Sequence, residues 1–152
     1  MRALIQRVDS ASVSIEGQKP REINQGYVIL LGIGHDDTQE LAQKLWEKIY
    51  KLRLFEDQAG KTNLCLQDVG GSVLLVSQFT LYADCKKGNR PSFTKAGSPN
   101  SACELYEYFA SLVRQSGVEI QTGWFGEMMK VSLVNDGPFT IWLDTESLGW
   151  EK

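Results

Sequence analysis

Two short segments carry the side chains best suited to hold and activate a polar ligand. Ser77-Gln78-Phe79-Thr80 closes an apolar run with three hydrogen-bonding side chains in four positions. A strand end is where such side chains and freed backbone N–H groups can converge on a ligand. The second segment, Asn135-Asp136-Gly137-Pro138-Phe139-Thr140, reads as an Asn-Asp turn between two strands. Its proline cannot donate to a sheet ladder, and an X-Pro bond in a tight turn tolerates the cis isomer. Taken singly, a polar strand terminus and an ordinary hairpin turn are the better accounts of the two segments.

A third stretch, Cys85–Lys95, carries Lys86, Lys87, Arg90 and Lys95 and no acid, in a chain of net charge −3. That balance argues against a protein that coats nucleic acid by bulk electrostatics. It leaves the stretch as a solvated loop or as a local phosphate contact.

Several chemistries are excluded by what is scarce. The single histidine, His35, lies in Gly34-His35-Asp36-Asp37 just before a helix, which suits a loop or capping role. A Ser-His-Asp or Cys-His device would have to use it, and a three-histidine metal site is impossible. Cys65, Cys85 and Cys103 stand roughly 20 residues apart, matching neither a disulfide framework nor paired ligands. They read as packed or idle thiols of a reducing compartment. Gly32-x-Gly34 is too short for a dinucleotide fingerprint, and no P-loop, CxxC or HExxH pattern occurs. No metal and no organic cofactor is expected.

The elements that must position these residues follow from periodicity. Residues 2–8 and 11–15 alternate as a strand bent near Asp9–Ser10, and 27–33 form a strand buried on both faces. Asp37 is expected to cap a helix with Glu40 completing a capping box, Leu41, Leu45, Ile49 and Leu52 forming its face. That helix should end near Leu54, before a turn at Asp57–Gly60. Residues 73–79 are a second buried strand. A second helix starts near Ser98-Pro99, with Ser101 and Glu104 as a competing cap, and Gly117 closes it. Strands at about 128–134 and 139–144 finish the chain. The order lacks the alternation of a doubly wound sheet. The expectation is one α+β domain over 1–152, with mixed, barrel-like sheets and two helices packed outside. No stretch approaches the ~20 apolar residues of a membrane span, and the N-terminus is not a signal peptide, so a cytoplasmic protein is expected.

Put in order, these segments resemble the D-aminoacyl-tRNA deacylase family along nearly the whole chain. The matching stretches are IQRV and ASV near the start, LLGI, LRLF, DVGG (Asp68–Gly71), VSQFTL, KKGNRPSF (Lys86–Phe93), LYEYF (Leu105–Phe109), Phe125-Gly126, Met129 and NDGP ahead of Thr140. The resemblance implies a chiral editing site in a homodimer. Gly137-Pro138 matches the Gly-cisPro motif that each subunit inserts into the other's site, with Met129 and Asn135 beside it. Ser77, Gln78, Phe79 and Thr80 match the motif that receives the aminoacyl ester and the terminal adenosine of tRNA. Lys86, Lys87 and Arg90 then have acceptor-stem phosphates as partners. Three departures stand out: Phe139 replaces the usual Val, Glu127-Met128 replace Ala-Asp, and Thr62 and Cys65 replace Met and Ser.

Enantiomers carry the same groups, so attraction alone cannot separate them; a rigid wall that one of them strikes can. The ester is activated and has a ribose hydroxyl beside it, so positioning and oxyanion stabilisation can suffice without a strong protein base. Two other readings use the same residues. One is a non-catalytic module for RNA ends, built on the basic loop and aromatic stacking. The other is a general ester hydrolase with Ser77, Thr80 or a cysteine as nucleophile, which lacks a matched histidine.

Overall fold

A computed structural model describes residues 1–150. Strand β1 (Arg2–Ser14) is the spine of a six-stranded sheet. Along one edge it pairs antiparallel with β2 (Arg21–Ile23) and β3 (Gly26–Gly32). From β3 the sheet continues in parallel through β6 (Ser72–Ser77) to β7 (Ile120–Thr122). The final strand, β8 (Lys130–Asp144), runs antiparallel along β1. Arg21 of β2 draws the far end of the sheet round, donating to the Thr122 carbonyl at 2.7 Å with its guanidinium 3.9 Å from the Trp124 ring. The sheet is therefore mixed and nearly closed, as expected.

Helices α1 (Gln39–Lys51) and α2 (Pro99–Gln115) pack on its outside. Alternation along β3 divides the core. Tyr27, Ile29 and Leu31 meet the helices through Leu45, Ile49 and Phe109, while Val28 faces Val8, Leu74 and Val76 inside the curl. Burying both faces of β3 is why its sequence is continuously apolar. Phe109 is fully buried, and cutting it to alanine would cost ~3–5 kcal/mol.

Three local expectations are corrected. The cap of α1 is Thr38, whose hydroxyl accepts from the Leu41 N–H at 3.3 Å. Asp37 is occupied elsewhere: its carboxylate accepts from the Met1 amine at 2.5 Å and the Gly34 N–H at 2.7 Å. Glu40 forms no capping box but pairs with Lys44 at 3.1 Å. The helix stops at Lys51, and Leu54 belongs to a hairpin of β4 (Arg53–Glu56) and β5 (Thr62–Cys65) where only a turn was expected. Asp57 makes that turn by accepting the Ala59 and Lys61 N–H groups.

The third correction concerns residues 135–138. They do not join two strands as a hairpin, because both halves of β8 pair with the same partner strand. Thr140 stands opposite Gln6 and Asn135 opposite Val8, so residues 136–139 leave the ladder opposite the single residue Arg7. The expected turn is an excursion from one continuous strand.

Candidate active site

Strand β6 ends at Ser77, and the chain turns at once into a 3-10 turn, Phe79–Tyr82. Two anchors hold the turn against β3. The Gln78 N–H donates to the Leu31 carbonyl at 2.8 Å, and Gly32 leaves room for close contact. A Cβ on Gly32 would lie 3.1 Å from the Gln78 oxygen and 3.1 Å from the Leu81 Cβ. The opening N–H groups of a helical turn have no partner within it. Those of Phe79 and Thr80 find none elsewhere among the described residues.

Beside this turn lies a cavity of about 380 Å³ with Ser77, Gln78 and Phe79 at its polar edge. Leu31, Ile33, Phe93 and Phe125 make its walls apolar. The Phe79 ring stands edge-on to Phe93 at 5.1 Å and is more than half exposed. Thr80, next in the turn, is exposed and is not among the residues lining the cavity; its hydroxyl accepts a hydrogen bond from the Gln78 side-chain amide. Phe93, Phe125 and Gly126 lie in stretches that carry the family resemblance, yet the sequence alone assigned them no role. The cavity has the size, the apolar lining and the few polar groups of a small-molecule site.

Gly137 and Pro138 are exposed and are not among the residues lining this cavity, so one chain does not bring the two motifs together. The peptide bond between them is cis. The excursion is held at its base and its flank. Asn135 donates to the Thr140 hydroxyl at 2.9 Å and accepts from the Phe139 N–H at 2.8 Å. Arg7 reaches out from β1, its Nε donating to the Asp136 carbonyl at 3.1 Å and lying 3.2 Å from the Asp136 carboxylate. Its Nη1 donates to the Leu54 carbonyl at 2.5 Å, and its guanidinium sits 4.8 Å from the Phe139 ring. Phe139 thus packs beneath Arg7 and against the core rather than extending outward.

Arg7 is a residue the sequence reading missed. The signal was its parity: Ala3 and Ile5 are fully buried on the helix-facing side of β1, and Arg7 continues that series at 6% exposure. A guanidinium on a buried face needs several acceptors, which the excursion and Leu54 supply. Met129 packs into the inner core, its sulfur 3.3 Å from the Trp124 N–H, and does not line the cavity.

The basic stretch is closed at its neck, where Asp84 and Ser92 exchange backbone hydrogen bonds at 2.7 and 2.9 Å. Lys86, Lys87 and Arg90 are all exposed on it. Lys86 lines a separate groove with Arg2 and Lys95, which Lys87 and Arg90 do not. His35 holds the returning chain, its Nε2 lying 2.7 Å from the Thr94 carbonyl oxygen. A larger cavity, about 500 Å³, is lined by Asp36, Asp37, Asp144 and Glu146 and includes no residue expected at the site.

Residues 4–144 match the family model described as D-Tyr-tRNA(Tyr) deacylase. A D-aminoacyl-tRNA deacylase of Bacillus licheniformis is 54% identical over 147 residues, covering 97% of this chain and 100% of the relative. One from Thermus aquaticus is 54% identical over 145 residues, covering 95% of each. A solved structure titled c-Myc DNA Unwinding Element Binding Protein superposes with a TM-score of 0.88 at 39% identity, covering 95% of this chain and 98% of that one. A probable eukaryotic D-amino acid tRNA deacylase shares the fold at a TM-score of 0.84 and 17% identity, covering 93% and 97%. With the fold, the strand-end cavity and the Gly-Pro excursion in place, the chain belongs to the D-Tyr-tRNA(Tyr) deacylase family.

Proposed function

We propose that this chain is a D-aminoacyl-tRNA deacylase, a hydrolase that releases D-amino acids from the 3′ end of tRNA and spares the L forms. The observation that carries the reading is the apolar cavity edged by Ser77, Gln78 and Phe79 at the end of β6, in a chain of this family. The cavity receives the terminal adenosine between aromatic walls, and the ester lies at the polar edge.

Water adds to the ester carbonyl, the bond to the 3′ oxygen breaks, and that oxygen leaves with a proton. Free N–H groups at Phe79 and Thr80 are suited to the developing oxyanion. Thr80 is a poor nucleophile here, because its oxygen accepts a hydrogen bond from Gln78 and the only histidine is engaged at Thr94. The neighbouring 2′-OH of the RNA therefore assists the attack. Full turnover of a substrate ending in 2′-deoxyadenosine would refute that step.

Selection is by exclusion. The Gly137-Pro138 apex of a second copy enters the cavity and bars the L side chain with backbone atoms that cannot rotate away. The second copy is supported by β8, whose outer edge has no strand partner among the described residues and whose Val134 and Trp142 are 54% and 47% exposed. A long apolar edge strand of this kind is one that proteins cover. A clash of ~4 kcal/mol gives about a thousandfold selectivity. Glycine has no side chain to strike the wall, so glycyl-tRNA is cleaved too; no glycine release under conditions that clear D-Tyr would refute this. The central test compares D-Tyr-tRNA with L-Tyr-tRNA using the pure protein. Release from the D ester alone is expected, and equal rates overturn the reading.

A further inference from the structure

The groove lined by Arg2, Tyr82, Asp84, Lys86 and Lys95 encloses about 430 Å³, stands apart from the cavity, and shares only Lys86 with the residues expected at the site. We propose that it is a backbone-phosphate subsite for the nucleotides on the 5′ side of the terminal adenosine. The proposal rests on the functional reading above and extends the same site along the RNA.

Two chain segments run from the cavity to the groove. The 3-10 turn begins with Phe79 on the cavity and ends with Tyr82 on the groove. The returning segment sets Phe93 and Ala96 on the cavity and Lys95 on the groove. Only Thr80 and Leu81 separate the two along the turn, so an RNA strand with its last base in the cavity would need to cross little more than these to meet the cations.

The cations are arranged to receive an anion. Neither Lys86 nor Lys95 is in an ion pair among the described residues. Arg2 is fixed in place: its Nε donates to the Asp144 carboxylate at 3.0 Å and its Nη1 to the Leu81 carbonyl at 2.8 Å. Its guanidinium lies 4.4 Å from the Tyr82 ring and 5.8 Å from that of Trp142. Nη2 has no hydrogen-bond partner among the described residues. A guanidinium held this way loses little freedom when it binds a phosphate oxygen.

The one acid of the groove, Asp84, accepts the Lys86 N–H at 3.0 Å, which sets the direction in which the lysine leaves the loop. The neighbouring cavity shares Tyr82 and Lys95 but is lined by Asp36, Asp37, Asp144 and Glu146. Asp37 and Asp144 are paired there with the Met1 amine and Arg2, which leaves Asp36 and Glu146 to disfavour a phosphate on that side. Lys95 thus stands on the boundary between a surface that attracts RNA and one that turns it away.

The test uses Lys95→Ala and Lys95→Arg with two substrates, D-Tyr-tRNA and the short ester D-tyrosyl-adenosine, which has no phosphate. On tRNA, Lys95→Ala lowers kcat/KM about fivefold at low salt, the effect of one solvated ion pair. It also flattens the log–log salt dependence by about 0.7, the contribution of one phosphate on a single strand. Lys95→Arg restores both. On D-tyrosyl-adenosine, kcat/KM is the same for all three proteins. An unchanged salt slope on tRNA, or equal losses on the two substrates, overturns the subsite. If the unaltered protein cleaves only the tRNA, the salt slope decides alone. If it cleaves neither substrate, the functional reading itself falls.

Discussion

Replacing Arg7 with lysine should separate the fold from the selectivity proposed for the Gly-Pro excursion. Lysine keeps the positive charge but loses the planar fork, so it cannot reach the Asp136 and Leu54 carbonyls together. Each charge-assisted hydrogen bond lost on a group 6% exposed is worth ~1.5–3 kcal/mol. Asp136, 43% exposed, recovers part of this from water. A net cost of ~2–3 kcal/mol lowers the thermal midpoint by roughly 5–10 °C and leaves a folded protein. The larger effect falls on the excursion, which keeps its Asn135 anchor but loses its hold on β1 and β4. If ~2 kcal/mol of the exclusion wall is lost with it, the D-over-L ratio falls about thirtyfold. The assay is kcat/KM on D-Tyr-tRNA and on L-Tyr-tRNA at a temperature well below both midpoints. The gain should appear as new activity on the L ester, with the D ester cleaved within a few fold of before. An unchanged ratio in a destabilised but folded variant would show that Arg7 does not hold the selector. Equal loss on both esters would show that it serves the cavity instead.

Thr80→Ala should keep much of the turnover if the RNA hydroxyl assists, whereas a Thr80 nucleophile requires that only Thr80→Ser be active; single-turnover deacylation distinguishes them. Gly137→Ala is strained, because φ is +131° and the new Cβ would lie 3.1 Å from the Phe139 nitrogen and 3.2 Å from Arg7 Nη2. It should therefore cleave the L ester too; co-refolded with Gln78→Ala, a mixed dimer would pair one intact Gln78 cavity with one intact apex, so the D-over-L ratio should recover. No recovery despite mixed dimers would contradict insertion across an interface. Acid should loosen the β4–β5 hairpin first. The Lys61 N–H, with those of Ala59 and the Asn63 amide, holds the Asp57 carboxyl below its ordinary 3.8. The Cys65 N–H does the same to Asp68. Because both are depressed in the folded chain, their contribution is complete above the ordinary carboxylate value and is lost as pH falls through the folded one. Hydrogen exchange at the Lys61 and Cys65 amides should therefore rise below about pH 4 relative to the β3 amides, after correction for intrinsic rates; parallel protection would refute this.

Much of the fold was legible because its signals are local. The double burial of β3 shows in a run without polar residues, and α2 begins at Ser98-Pro99 and closes at Gly117 as its sequence implies, although the Ser98 side chain makes no capping hydrogen bond. What was hidden depends on partners distant in the chain. Thr38 rather than Asp37 caps α1 because Asp37 is claimed by Met1 and Gly34. The β4–β5 hairpin was lost beneath a helix pattern that ran into Leu52 and Leu54. Residues 135–138 have the composition of a hairpin turn, and only the pairing of both flanks with β1 distinguishes an excursion from one. Of the cavity, the polar edge was visible in Ser77-Gln78-Phe79, while Phe93 and Phe125 arrive from loops whose return path no periodicity encodes.

The pairing of β8 has a consequence for how such a protein can change. A one-residue slip in a strand turns every later side chain to the opposite face, so either arm of β8 is closed to insertion or deletion. Between Asn135 and Thr140 that rule is suspended, because residues 136–139 take no part in the ladder. A residue added there lengthens the protrusion and leaves Arg2–Gln6 and Ser10–Ser14 aligned with their partners. Loop closure makes such an addition inexpensive. The reach of the excursion and the register of the longest strand pair can thus vary separately, with Arg7, Asn135 and Phe139 tying the one to the other.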